Sequence, residues 1–413
     1  MGNYVAHIWS AGQSPHFSDL YAQWWAAHEI FLHDRNPYTP AVAHEIQSVI
    51  YGAPIASSPS SGSDDMAGGF AYPLYVVFLI WPTLWLPFTA VQHLFAGLFL
   101  GLTLASLVLW LYALRWRVPR TELILLAVFT VGSFPALQGI ALQNLSLLAA
   151  FFIAASLASL VAERLALAGA LLAAATIKPQ FTILLIPWFA FWTISDWRLR
   201  QRLAWSFLGG VTLLLLGSEV LLPGWIRNFL AIVRAYQHYT YGHSLMDVWF
   251  TPQIGRWVSA GIALFVLLLC WRGRTCLTTS PRFLLAPCLV LSATLLVIPT
   301  LEPHAQLLLL PGFLWLLCYR RPIWQLGGAS RVLFVAAWIL LVWPWMAAAA
   351  LTLATLFLPS SKVSRLWMLP LYTSPLVPFG VCMALGFLRI TLAKLESKSE
   401  SKIPAVELRT DYT

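Results

Sequence analysis

The chain has 413 residues, 59% of them hydrophobic and only 10% charged, with a mean hydropathy of +0.75. A soluble domain carries roughly 25% charged residues, so a soluble globular fold is excluded, and the long unbroken apolar blocks exclude the ~10-residue alternation of a membrane β-barrel. The formal charge of +9 therefore points to arginines that hold loops on one side of a membrane, not to nucleic acid.

The sequence predicts an all-α polytopic membrane protein. It divides into an external loop with interfacial helices (residues 1–71), a transmembrane bundle of about eleven spans (72–393) and a cytoplasmic tail (394–413). The opening MGNYVAHIWSAG has neither a basic n-region nor an apolar h-region. Export of the first loop thus leads us to expect a further apolar helix upstream. In HFSDLYAQWWAAHEIFLHDRNPYTP, residues 16–40, a helix is expected after Ser18. Ser18 would be its N-cap, with Asp19 in the first turn, where a carboxylate is favoured, on one face with Gln23. Trp24, Trp25 and Phe31 suit a helix resting at headgroup level, and RNPY reads as a turn. Asp64 and Asp65 sit in a Ser/Gly-rich loop and read as solvating residues.

After a short proline-rich segment from Tyr72, apolar spans are expected near 88–114, 121–136, 144–162, 165–177, 181–195, 203–222, 257–271, 283–299, 305–319, 332–357 and 370–392. Pro135 and Pro344 mark two of them as proline-broken. Thirteen arginines fall on one side (Arg115, Arg117, Arg120, Arg164, Arg198, Arg200, Arg202, Arg272, Arg274, Arg282, Arg320, Arg321, Arg331) against six basic residues on the other (Lys178, Arg227, Arg234, Arg256, Lys362, Arg365). That bias makes the first side cytoplasmic, with the C-terminus there. The five cysteines lie in or beside apolar runs without CxxC spacing, so neither a disulfide nor a cysteine metal site is expected.

Lys178 interrupts LLAAATIKPQFTILLIP (171–187) at an outer turn between two short spans. It is either a snorkelling lysine or an amine set at the rim of a cavity to hold an anion such as a lipid phosphate; a charge in hydrocarbon costs at least ~2.5 kcal/mol. The other external turns carry ALQNLS (141–146), the 223–256 loop with AIVRAYQHYTYGHSLMDVW, and PTLEPHAQLLLLP (299–311). His304 either serves a site there or only caps a loop. Candidates to line a substrate cavity are Tyr21, Gln143, Asn144, Gln180, His243 and Glu302.

Taken in order, F-S-D-L-Y, R-N-P-Y-T-P, Y-P at Tyr72, L-Q-N-L at 142–145, T-I-K-P-Q at 176–180 and E-P-H-A-Q-L-L-L-L-P at 302–311 resemble glycosyltransferase family 87 from about residue 16 to about 320. The resemblance implies a GT-C fold and a polyprenyl-phosphate sugar donor. It also implies a carboxylate base in the first external loop, which maps onto Asp19, a K-P lysine at Lys178 and a late external histidine at His304; Arg234, in the 223–256 loop, is a reserve candidate to bind the donor phosphate. Mannose is the implied sugar, with arabinose and glucose as alternatives, and the acceptor is a lipid or glycan hydroxyl. An inverting single displacement at the outer face of a bacterial cytoplasmic membrane follows, with membrane lipids as surroundings. No dinucleotide or Walker motif follows a strand and no DxD pair sits in a site, so no cofactor and no metal in the transfer are expected. The competing classes are a transporter or flippase, which would show paired repeats with interrupted helices, and a non-catalytic envelope subunit.

Overall fold

The computed structural model describes residues 18–52, 68–239, 243–299, 302–359 and 373–399, together with residues 362, 363, 366 and 369. Residues 1–17, the Asp64–Asp65 loop, Arg365 and the tail beyond 399 lie outside them. Among the described residues there are helices and no strands. In chain order they are α1 (Tyr21–Leu32), α2 (Pro40–Tyr51), α3 (Val76–Ile80), α4 (Phe88–Ala113), α5 (Arg120–Val131), α6 (Phe134–Ala141), α7 (Ser146–Val161), α8 (Leu165–Ala175) and α9 (Leu185–Ile194). There follow α10 (Trp197–Leu221), α11 (Trp225–Tyr239), α12 (Leu245–Trp249), α13 (Pro252–Arg272) and α14 (Pro281–Val297). A 3₁₀ segment (Pro303–Leu309) then leads into α15 (Leu310–Cys318), α16 (Arg320–Gln325), α17 (Gly328–Ala354) and α18 (Leu376–Ser399).

Five helices are long and apolar enough to cross a membrane: α4, α10, α13, α17 and residues Leu376–Ala393 of α18. The α5–α6 pair forms a sixth path bent by 59°. Five further apolar stretches, within Ser146–Val161, Leu165–Ala175, Leu185–Ile194, Arg282–Val297 and Pro303–Cys318, are shorter. Each of the eleven apolar segments read from the sequence thus holds a helix; five of these helices have spanning length, or six if the bent α5–α6 pair is one span. Several ends move. The 181–195 segment gives up Pro179–Thr182 as a separate turn, α10 starts at Trp197, and α13 starts at Pro252, which can open a helix because its missing N–H is unneeded there.

The two prolines behave differently. Ser133 caps α6 through Ala136 N–H, so Pro135 follows a real break, whereas Pro344 lies inside the continuous α17 and breaks nothing. One close crossing locks α8 onto α10. A methyl group at Gly169 would sit 2.3 Å from the Leu203 carbonyl oxygen and 2.9 Å from the Phe207 nitrogen, so only glycine admits this approach. α11 is amphipathic: Trp225, Ile232 and Ala235 are buried while Arg227 and Arg234 are exposed.

At one end of the bundle, Arg200 Nη1 donates to the Trp192 and Arg274 carbonyls, tying two arginine-bearing turns together. Arg164 and Lys178 flank α8 at opposite ends, so Lys178 belongs to the other end, where the polar groups gather.

Candidate active site

Four separate segments meet at that end. The first is the start of α1. Asp19 N–H donates to the Leu142 carbonyl at 2.8 Å, and Ser18 Oγ donates to Gln143 Oε1 at 2.7 Å. Asn144 Nδ2 donates to Asp19 Oδ2 at 2.6 Å. Ser18 Oγ also accepts from Leu20 N–H at 3.3 Å, just ahead of the helix, but the N-cap of α1 is Leu20, and Asp19 precedes the helix instead of lying in its first turn. The capping role is corrected for a physical reason: both side chains are drawn across to the α6–α7 turn.

That turn is shaped for the purpose. Gln143 has φ 50°, a left-handed conformation that costs a side-chain-bearing residue about 1–3 kcal/mol and persists where the surroundings over-determine it. Its amide nitrogen donates to the Ile140 and Ala141 carbonyls while its oxygen takes Ser18. Fully buried with both ends of its amide used, Gln143 holds the α1 entry in place and faces no substrate. Asn144 spends its oxygen on Ser146 N–H and its nitrogen on Asp19.

The remaining segments bring charge. Lys178, 2% exposed, donates from Nζ to Ser146 Oγ at 2.7 Å and to Glu302 Oε2 at 2.9 Å. His304 Nε2 lies 2.9 Å from the same Glu302 oxygen, and His304 Nδ1 is buried without a hydrogen-bond partner. The Tyr72 and Phe181 rings flank the lysine at 5.7 and 5.4 Å from Nζ to their centroids. Tyr75 braces the turn before Lys178 by donating to the Thr176 carbonyl at 2.8 Å.

These surroundings push the carboxyl groups apart. Burial raises Asp19 above its ordinary 3.8, and the opposing pull of His304, Asn144 and Lys178 does not cancel it. Glu302 is half-buried, and Lys178 and His304 outweigh its desolvation and hold it well below the carboxylate range. For Lys178, burial opposes the charge, yet Glu302, Tyr72 and Asp19 keep the ammonium firmly protonated. One carboxylate is thus locked into an ion pair, and the other is left with a raised proton affinity. That separation of two acids by environment is a recurrent mark of acid–base sites.

Of the residues singled out in the sequence, Asp19, Asn144, Lys178, Glu302 and His304 converge. Tyr21 does not join them. It is buried in an aromatic cluster with its ring 5.0 Å from Phe88 and 6.0 Å from Trp25, so it packs α1. Gln180 is half-buried and adds nothing to the network, while exposed Arg234 and His243, just before the Ser244 cap, enter none of these contacts. Ser18, Ser146 and Tyr72 all lie in stretches singled out in the sequence, but none of them reads there as a site residue: Ser18 is expected as a helix cap, and Ser146 and Tyr72 only as members of motifs.

The glycosyltransferase family 87 pattern matches residues 70–299, more than half of the chain. The protein is a member of glycosyltransferase family 87. No curated protein and no solved structure matches it. Lys178, Asn144 and Tyr72 lie inside the matched stretch of this glycosyltransferase; Asp19, Glu302 and His304 lie outside it, so geometry alone joins them to the family region.

Proposed function

We propose that this glycosyltransferase moves a hexose, mannose by family resemblance, from a polyprenyl-phosphate donor to a lipid or glycan hydroxyl at the outer face of a bacterial cytoplasmic membrane. The observation that supports this most is the unequal pair of carboxylates beside one buried ammonium. Asp19 is reached by no salt bridge among the described residues, and its raised proton affinity suits a group that takes a proton. The acceptor oxygen would attack the anomeric carbon as Asp19 removes its proton, and the bond from that carbon to the donor phosphate would break with inversion. The electron pair leaves on the polyprenyl phosphate. Lys178 Nζ already serves Ser146, Glu302 and the Tyr72 hydroxyl, so a donor phosphate would be met by the charge of the ammonium and by one of these three N–H groups turned from its partner. His304 Nδ1, buried and unpartnered, is a second donor when the ring is protonated. Fixed donors of this kind act where charge develops.

An apolar cleft lined by Phe129, Pro135, Leu310, Phe313, Trp338 and Trp345 lies beside the 3₁₀ segment that carries His304. The donor's prenyl chain would lie there, with its phosphate toward Lys178. Purified protein incubated with a panel of polyprenyl-phosphate sugars should consume one of them only when an acceptor is present. Asp19→Asn, which keeps shape and the contact to Asn144, should purify normally, retain donor binding and turn over at least about a hundredfold more slowly at saturating donor. Near-normal turnover of Asp19→Asn would remove Asp19 from the reaction.

A further inference from the structure

A second cluster of ionisable groups lies at the far end of α1, where the transfer chemistry has no use for it. His33 Nδ1 lies 3.1 Å and His28 Nδ1 3.5 Å from the same oxygen, Glu29 Oε1. One ligand atom from each of the three residues falls within 4.8 Å of those of the other two. The Glu29 side chain is only 2% exposed. His33 makes a hydrogen bond to this oxygen, but His28 does not, and its Nδ1 is buried without a hydrogen-bond partner. Two imidazole nitrogens and a carboxylate oxygen therefore crowd one small region, although one nitrogen is not directed at the oxygen beside it.

We propose that His28, Glu29 and His33 bind a zinc ion. Zinc bonds of about 2.0–2.2 Å in tetrahedral array place neighbouring ligand atoms about 3.4 Å apart, and the two separations to Glu29 Oε1 already bracket that value. Two nitrogens and one oxygen suit zinc better than calcium or magnesium, which prefer all-oxygen shells. The fourth position falls to water.

The neighbours support the ligands in the manner of a built metal site. Trp25 stacks on His28, with ring centroids 5.2 Å apart and planes within 9°, and fixes that imidazole. Glu29 Oε2 accepts from Arg35 Nη1 at 2.5 Å, which leaves Oε1 for the ion. Arg35 also donates to Glu45 Oε1 at 2.7 Å, and Glu45 Oε2 accepts from Trp25 Nε1 at 3.0 Å. Two carboxylates against one guanidinium leave the cluster net negative with neutral imidazoles. The C-terminal end of α1 adds its own partial negative charge. Asp34, at φ 54°, turns the chain so that Arg35 can fold back onto Glu29.

The ion would be a clamp and not a participant in transfer. His28 lies nine residues after Asp19, roughly 14 Å along a helical axis. It would pin the end of α1 to the Arg35 turn and, through Arg35 and Glu45, to α2.

The test uses the full-length protein in detergent, stripped with a chelator, reloaded with zinc sulfate and desalted. Metal content is read by mass spectrometry, and affinity by competition with a chromogenic zinc chelator. Wild type should retain about one zinc per chain. His33→Gln and His28→Gln should each bind at least about tenfold more weakly while eluting as wild type in size-exclusion chromatography. His93→Gln, on exposed α4 surface, should bind as wild type. Cobalt(II) loading should give the visible absorption of a four-coordinate site in wild type and lose it in His33→Gln. No retained zinc in wild type, or equal zinc affinity in the wild type and both ligand variants, would overturn the proposal.

Discussion

Glu302→Gln keeps the shape of its side chain and removes only the charge, which isolates what the carboxylate does. One oxygen of Glu302 receives both Lys178 Nζ and His304 Nε2, each at 2.9 Å. Lys178 is 2% exposed, and its other hydrogen-bonding neighbours are the neutral hydroxyls of Ser146 and Tyr72. A buried charge stripped of its counter-ion costs about 3–5 kcal/mol, whereas removing both charges together is often nearly neutral. Glu302→Gln should therefore lose about 3–5 kcal/mol, and adding Lys178→Met should restore most of it. Unfolding in detergent is followed with a thiol-reactive dye, since Cys270, Cys288 and Cys382 are free and buried. The pH dependence has a definite sign. A carboxyl lowered by folding contributes stability above its unfolded value of 4.5 and loses it only as pH falls through the lower folded value. The gap between wild type and Glu302→Gln should thus begin to narrow as pH falls below 4.5 and close in stronger acid, at the lower folded value. If the double variant melts no higher than Glu302→Gln alone, the two groups are not coupled and the ion pair does not organise the site.

Because burial raises Asp19 above 3.8, the rate should fall on acidification through a pKa above that value, and the residual rate of Asp19→Asn should lack that limb in a pH profile. Lys178→Met should weaken donor binding more than it slows turnover at saturating donor, a split visible in KM against kcat. Gly169→Ala should destabilise by about 1–3 kcal/mol through overpacking against the α10 backbone, measured by the same dye, and an unchanged melting temperature would mean that the crossing is looser than it looks. In intact cells, a cysteine at exposed Asp34 should react with a membrane-impermeant maleimide, while one at exposed Arg117 should react only after permeabilisation; the same result at both sites would refute the sidedness.

The bundle was legible because a membrane leaves apolar runs unbroken, and the site was legible by exception. In a chain with so few charges, Asp19, Lys178 and Glu302 stand out as charges near the bilayer surface. Their partners do not. Ser146 is one small residue at the start of an apolar helix, and only the fold sets it 2.7 Å from Lys178 Nζ. Gln143 reads as a polar lining group because its left-handed backbone, which turns it inward, has no glycine to announce it. Tyr21 falls on the α1 face that meets Phe88, and α1 is buried around most of its circumference, so no polar side marked which way it would point. The His28–Glu29–His33 cluster escaped notice because Glu29 and His33 form an ordinary i,i+4 pair at the helix end, while the adjacent His28 lies about 100° round the helix, and no spacing rule joins all three.

The pair between Lys178 and Glu302 joins residues 124 positions apart in the chain. At a synthesis rate of 5–20 residues per second, the lysine waits roughly 6–25 s for its counter-ion to be made. During that interval a cation held at mid-membrane would cost about 2.5–3.5 kcal/mol, whereas one at the end of a helix can keep its amine in the headgroup layer on a flexible stem. Lys178 follows the last residue of α8, so the nascent chain can insert that helix before its partner exists. The buried pair then forms as a late event of biogenesis, when the segment carrying Glu302 and His304 arrives and closes over it.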